Sequence, residues 1–192
     1  MIKKVCVYCA SSTQISEVYK NEARRLGELL SENNIACVYG GGSVGLMGEL
    51  SKSMVDNGGS ITGIIPQFMV DEGWSNNFVE EIVVGSMHER KALMVKDVDA
   101  AIALPGGCGT LEELLEVITW KQLGLFTKPV VILNINGFFD PLLDMLNKAV
   151  DEKFMRLEHK QIWCVANRAD DVLDAINSAA EWSESARGFA AM

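Results

Sequence analysis

The stretch Leu104 to Glu113, LPGGCGTLEE, places Gly106, Gly107 and Gly109 directly after an apolar run and sets Glu112 and Glu113 directly behind them. Glycines in that position leave backbone N–H groups unobstructed at the start of the next helix, where about half a unit of positive charge is concentrated, and such a cradle holds a phosphate. The Lys-Ser/Thr ending of a P-loop is missing, so ATP held in that manner is not indicated. The first glycine loop in chain order, YGGGSVGLMG from Tyr39 to Gly48, offers Gly40, Gly42 and Gly45 in G-x-G-x-x-G spacing between a strand and a helix, with Gly41 inside it. It follows the second strand rather than the first, and the third ends in Ile64-Ile65-Pro66-Gln67 without an acidic residue for a ribose, which removes most of the support for an NAD site. Two glycine loops at one sheet edge favour phosphate binding over plain tight turns.

A third stretch, SMHERKALM, brings His88, Glu89, Arg90 and Lys91 into the first turns of a helix opened by the capping box Ser86-x-x-Glu89. Cations near a helix N-terminus oppose the helix dipole, so Arg90 and Lys91 call for an anion there; the plain alternative is a solvated surface pair.

These stretches need a scaffold that gathers them. Short β-branched runs at Lys3 to Ala10, Ile35 to Tyr39, Ser60 to Ile65, Glu80 to Val84, Ala100 to Leu104, Pro129 to Leu133 and Ile162 to Val165 alternate with amphipathic helical stretches. Gly58-Gly59 marks a helix stop, and Asp140-Pro141 an N-cap with proline at the first helical position. Strands alternating with helices pair in parallel through right-handed crossovers. The expected fold is therefore α/β: a mostly parallel sheet of about seven strands with helices on both faces and ligands at its carboxyl edge.

Residues 1–192 read as one domain with a tail, from about residue 183, expected to fray. Hydrophobic residues make up 48 % and charged ones 22 %, which suits a sizeable core. A formal charge of -9 with no basic patch argues against nucleic acid or an anionic membrane as partner. No signal-length or bilayer-spanning apolar run is present, so the cytoplasm is the expected location. The five cysteines imply no disulfide framework, and Cys6-x-x-Cys9, within a strand, points its side chains to opposite faces as core residues. No metal constellation is evident.

The motifs YGGGSVGLMG, SMHERKALM and PGGCGTLEE, in this order and at these spacings, resemble the Lonely Guy family, whose members often carry the label lysine decarboxylase. The similarity runs from VYCASS to KPVVILNINGFFDPLL, and its PGGxGTxxE element is highly specific. The resemblance implies a Rossmann-like phosphoribohydrolase that cleaves the N-glycosidic bond of cytokinin riboside 5′-monophosphates, and in many members AMP, to free base and ribose 5-phosphate. It implies Arg90 and Glu113 as the catalytic pair and no cofactor. The implied substrate contacts are Lys91, Gly106, Gly107, Cys108, Gly109, Thr110, Leu111 and Glu112, with Gly41, Gly42, Gly45, Ser12, Thr119 and Glu72 as further ones. It also implies a homodimer, for which the apolar helix from Leu114 to Phe126 supplies a surplus hydrophobic face.

The chemistry agrees with that implication. Breaking a ribosidic C–N bond develops oxocarbenium character on the sugar and negative charge on the departing base, so a site needs a carboxylate near the anomeric carbon and a proton or cation near the base. Glu113 supplies the first; Arg90, permanently charged, acts electrostatically rather than as a proton donor. The competing reading of Glu113 is structural: Thr110-Leu-Glu-Glu113 is itself a capping box. A pyridoxal phosphate decarboxylase needs a lysine placed for a Schiff base, and no lysine stands in a buried strand-end context. The alternative function is a non-catalytic Rossmann-like carrier of a nucleotide or of molybdenum cofactor, against which the presence of both Arg90 and Glu113 argues.

Overall fold

The computed structural model describes residues 1–186 and 188. Seven strands form one sheet: β1 (Lys4–Tyr8), β2 (Ala36–Tyr39), β3 (Ile61–Pro66), β4 (Glu80–Val84), β5 (Ala100–Ala103), β6 (Val130–Leu133) and β7 (Trp163–Ala166). Their order is β4-β3-β2-β1-β5-β6-β7 and every pair is parallel. The sheet is thus wholly rather than mostly parallel. The first strand is shorter than its apolar run because the Ala10 N–H leaves the ladder and donates to the Pro105 carbonyl across the β1 and β5 ends. From β1 the chain winds outward through β2 to β4 on one side and resumes at β5 on the other, so the reversal point of the sheet lies at the carboxyl ends of β1, β2 and β5.

Helices α1 (Glu17–Glu32), α2 (Gly45–Asp56), α3 (Gln67–Asp71), α4 (Met87–Met94), α5 (Cys108–Gln122), α6 (Asp140–Asp151) and α7 (Val172–Asn177) complete the chain. Alternation along β1 divides the core: Val5 and Val7 pack with Leu26, Leu30 and Leu50 of α1 and α2, while Cys6 and Tyr8 pack with Met94, Leu114 and Val117 of α4 and α5. Cys6 and Cys9 are both buried, one in each half of the core.

Local signals place the helix starts, with two shifts. Ser86 accepts from the Glu89 N–H at 3.1 Å as an N-cap, but Glu89 Oε2 reaches past the cap to the Gly85 N–H at 2.8 Å. Asp140 is the first residue of α6 rather than its cap; the cap position is Phe139, whose N–H donates to Asn134, while the Asn134 amide donates to Asp140, both at 2.7 Å. Gly58, at φ +70°, stops α2 as expected. Beyond α7 the chain turns back: Trp182 Nε1 donates to the Lys121 carbonyl at 2.6 Å, and residues 184–186 form a short 3-10 turn. The expected fraying concerns in part residues 187 and 189–192, which lie outside the described residues.

Candidate active site

Helix α5 starts at Cys108 with Gly107 as its cap, so Thr110 is its third residue and Glu113 lies one turn further in. The capping box Thr110 to Glu113 does not form, because the glycine run lets the helix begin earlier than the first good capping side chain. Glu113 instead turns into the protein, 7 % exposed, and Oε1 accepts from Arg90 Nη1 at 2.6 Å.

Arg90 is itself 5 % exposed and has two further partners: Nε donates to the Ile64 carbonyl at 2.9 Å and Nη2 to the Gly40 carbonyl at 3.2 Å. One guanidinium therefore joins the end of β3, the first glycine loop and the α5 carboxylate. Burial pushes the Glu113 pKa up, and the adjacent Arg90 charge offsets part of that rise. A carboxylate beside a fixed cation, with its pKa raised by burial, suits either stabilisation of a sugar cation or activation of water.

Lys91, 8 % exposed, is clamped beside this pair by Glu112 and, at 3.1 Å, by Glu116. Its pKa rises, foremost through the hydrogen bond it donates to Glu112. Neither cation is a solvated surface group: across α4 and α5 the anions they meet are protein carboxylates. The other buried lysine, Lys121, lies at the far end of α5, its Nζ 5.8 Å from the Trp182 ring, and burial lowers its pKa to about 8.

The glycine loops divide into packed and open positions. Gly45, at φ +63°, sits where a Cβ would come within 2.5 Å of the Ser11 and Ser12 main chain, which locks the first loop onto the end of β1. Gly106 faces Thr110 Oγ1, 2.1 Å from where a Cβ would stand. Gly107 and Gly109, by contrast, would place a Cβ in open space. Helices α2 and α5 both start without a side-chain cap; in α2 the Met47 N–H is taken by the Ala10 carbonyl at 3.2 Å, whereas the first amides of α5 are available to an anion.

Two hollows lie at this edge of the sheet, the larger with Arg90 in its wall. The smaller, about 140 Å³, is bounded by Ser12, Leu46, Gly106 and Gly107. The larger, about 360 Å³, has Arg90 and Gly42 on one side and Met47, Ile65, Met69 and Trp74 as apolar wall. Cys108 is exposed as the first residue of α5, and Leu111 is half-buried on the same helix. Gly41, at φ +80°, approaches Ile65, and Gly63 of β3 makes room for it. Two expected contacts stay outside: Thr119 lies on the exposed face of α5, donating to its own helix at the Leu115 carbonyl, and Glu72 is exposed at the end of α3. The carbonyls of Gly40 and Ile64 carry no side-chain signal for Arg90, and the Met47–Ile65–Met69–Trp74 wall is scattered over four segments. Sequence reading therefore had no means to assemble either.

Fold and site together define a Rossmann-like α/β protein with uncapped helix starts and a buried Arg–Glu pair at its sheet edge. A family profile described as "Possible lysine decarboxylase" matches residues 47–176. The chain is 46 % identical over 175 residues to cytokinin riboside 5′-monophosphate phosphoribohydrolase LOG2 of Arabidopsis thaliana, covering 91 % of this chain and 82 % of that protein. It is 45 % identical over 172 residues to cytokinin riboside 5′-monophosphate phosphoribohydrolase LOG of Oryza sativa subsp. japonica, covering 89 % and 71 %. Among solved structures, the molybdenum cofactor carrier protein of Chlamydomonas reinhardtii matches with a TM-score of 0.71 at 20 % identity, over 93 % of this chain and 98 % of that one. The molybdenum cofactor binding protein of Rippkaea orientalis matches at 0.69 and 24 %, over 93 % and 97 %. These two likenesses show the fold alone. The chain belongs to the Lonely Guy family of cytokinin riboside 5′-monophosphate phosphoribohydrolases.

Proposed function

We propose that this protein hydrolyses the N-glycosidic bond of a nucleoside 5′-monophosphate, cytokinin riboside 5′-monophosphate or AMP, releasing the free base and ribose 5-phosphate. The observation that carries the reading is the buried Glu113 carboxylate of α5 bound to Arg90 of α4, whose guanidinium also holds the first glycine loop at Gly40. The 5′-phosphate rests on the open amides around Gly107 and Gly109 and on Ser12, with Thr110 beside them. Glu113 faces the anomeric carbon, where it stabilises the developing cation or orients the attacking water. Arg90 holds Glu113 ionised and fixes the first glycine loop. Lys91 reaches the substrate after exchanging one of its two carboxylate partners.

The active unit in this proposal is a homodimer of one catalytic domain per chain, working in the cytoplasm. Support for the dimer comes from Leu115 and Leu123, 38 % and 41 % exposed on either side of Thr119 on the outer face of α5; association through that face brings Thr119 and Glu112 to an interface. No described helix is long and apolar enough to cross a membrane. The five cysteines are unpaired, which suits a reducing compartment.

Comparison of AMP with adenosine tests the phosphate cradle. Adenosine is expected to turn over far more slowly, because the helix amides bind only the phosphorylated sugar; equal turnover of the two overturns this part of the reading. A carrier returns both unchanged.

A further inference from the structure

The larger recess beside Arg90 has a wall that the glycine loops and the Arg–Glu pair do not account for. Trp74 is 54 % exposed at its rim, next to Gly73 at φ +77°, with Met69 and Met47 behind and Ile65 at its floor. An indole left half in water at the edge of an apolar recess is a ready stacking surface for a flat ring, and the thioethers beside it adapt to its outline.

The loop bearing Trp74 is pinned two residues later. Asn76 is 3 % exposed in a connection that is otherwise open to solvent. Its Nδ2 donates to Tyr39 Oη and to Ser51 Oγ, each at 2.9 Å, and its Oδ1 accepts from the Phe78 N–H at 3.2 Å. Its own N–H donates to Glu81 Oε1 at 2.7 Å. The side chain thus ties the α3–β4 connection to β2 and α2, and the backbone N–H of the same residue ties it to β4. Such a four-way anchor fixes where Trp74 emerges.

We propose that Trp74 is the specificity-determining wall of this recess, stacking on the base of the bound nucleotide, and that Asn76 is the positioning residue that holds it there. The inference rests on the proposed nucleotide substrate. With the phosphate at the start of α5 and the sugar at Glu113, the base leads into the recess that Arg90 borders. Trp74 then meets only ligands that carry a base.

Kinetics with AMP, and with ribose 5-phosphate as competing product, test this. Trp74→Ala is expected to raise KM for AMP roughly 5- to 150-fold, the factor given by loss of one base–aromatic stack, with kcat unchanged. Inhibition by ribose 5-phosphate, which has no base, stays as in the wild type. Trp74→Phe, keeping a flat ring, restores most of the affinity. Asn76→Ala raises KM alone but adds nothing in the Trp74→Ala background; should it fail to fold, Tyr39→Phe, which removes one acceptor of Asn76, takes its place. An unchanged KM for AMP in Trp74→Ala overturns the proposal, as does an equal weakening of ribose 5-phosphate. If the wild type releases no adenine, the hydrolase reading fails by itself, and calorimetric binding of AMP to the same variants still decides on Trp74.

Discussion

Arg90 uses one face of its guanidinium for Glu113 and the rest for two backbone carbonyls, so its charge is buried and fully directed. Two outcomes follow at the residue scale. Glu113→Gln keeps an oxygen for Arg90 Nη1 and removes the negative charge, so turnover of AMP is expected to fall by roughly 10²- to 10⁴-fold with the fold retained in circular dichroism. Thr110→Ala does not weaken a cap, since Thr110 stands inside α5, and serves as a measure of packing against Gly106. The raised pKa of Glu113 also sets the acid side of the pH profile. A carboxylate that must be ionised loses its charge as pH falls through its folded pKa, so kcat/KM is expected to drop on the acid limb above the ordinary value of 4.5. A limb at or below that value contradicts the assignment. The types and order of these residues were legible in the sequence: PGGCGTLEE and HERK give the acid and the cations. The competing cap at Thr110 was equally legible, and only the earlier start of α5 at Cys108 separates the two.

At the scale of the elements, the glycines divide by what surrounds them, which their spacing does not reveal. Gly45→Ala forces a side chain into backbone at positive φ and is expected to destabilise by about 3 kcal/mol or more, read as a large drop in Tm. Gly107→Ala meets nothing within 4 Å, so Tm should scarcely move while AMP binding weakens, because the added methyl occupies the anion cradle. A Gly107→Ala protein with normal AMP affinity removes the phosphate from α5. Helix α5 carries a second measurable feature at its other end. Lys121 has a folded pKa near 8 against an ordinary 10.5, so the buried ammonium costs stability below pH 8 and that cost disappears as pH rises towards 10.5. Lys121→Met is therefore expected to stabilise the protein at neutral pH by roughly 3 kcal/mol at most, with the gain shrinking in alkali. All seven strands were legible from their apolar runs, the inner five because parallel strands are buried on both faces and the partly exposed edge strands β4 and β7 from their β-branched residues. Their ends shifted by a residue or two where loop hydrogen bonds, such as Ala10 to Pro105, took over from the ladder. The α3–β4 connection was not legible, since Asn76 anchors it through partners 25 and 37 residues away.

For the whole molecule, the wholly parallel sheet gathers every functional loop at one edge, and the order β2-β1-β5 brings the two glycine loops to either side of the first strand. What one chain leaves open is the outer face of α5, with Leu115, Thr119 and Leu123 exposed together. Light scattering at micromolar concentration is expected to give twice the 21.0 kDa chain mass, and Leu115→Asp to shift it towards the single chain. A monomeric wild type removes the dimer from the account. The reaction itself is tested without any substitution by incubation of the purified protein with AMP. Chromatography is expected to show adenine appearing as AMP disappears, with ribose 5-phosphate in equal amount; AMP recovered unchanged after prolonged incubation with folded protein contradicts the account.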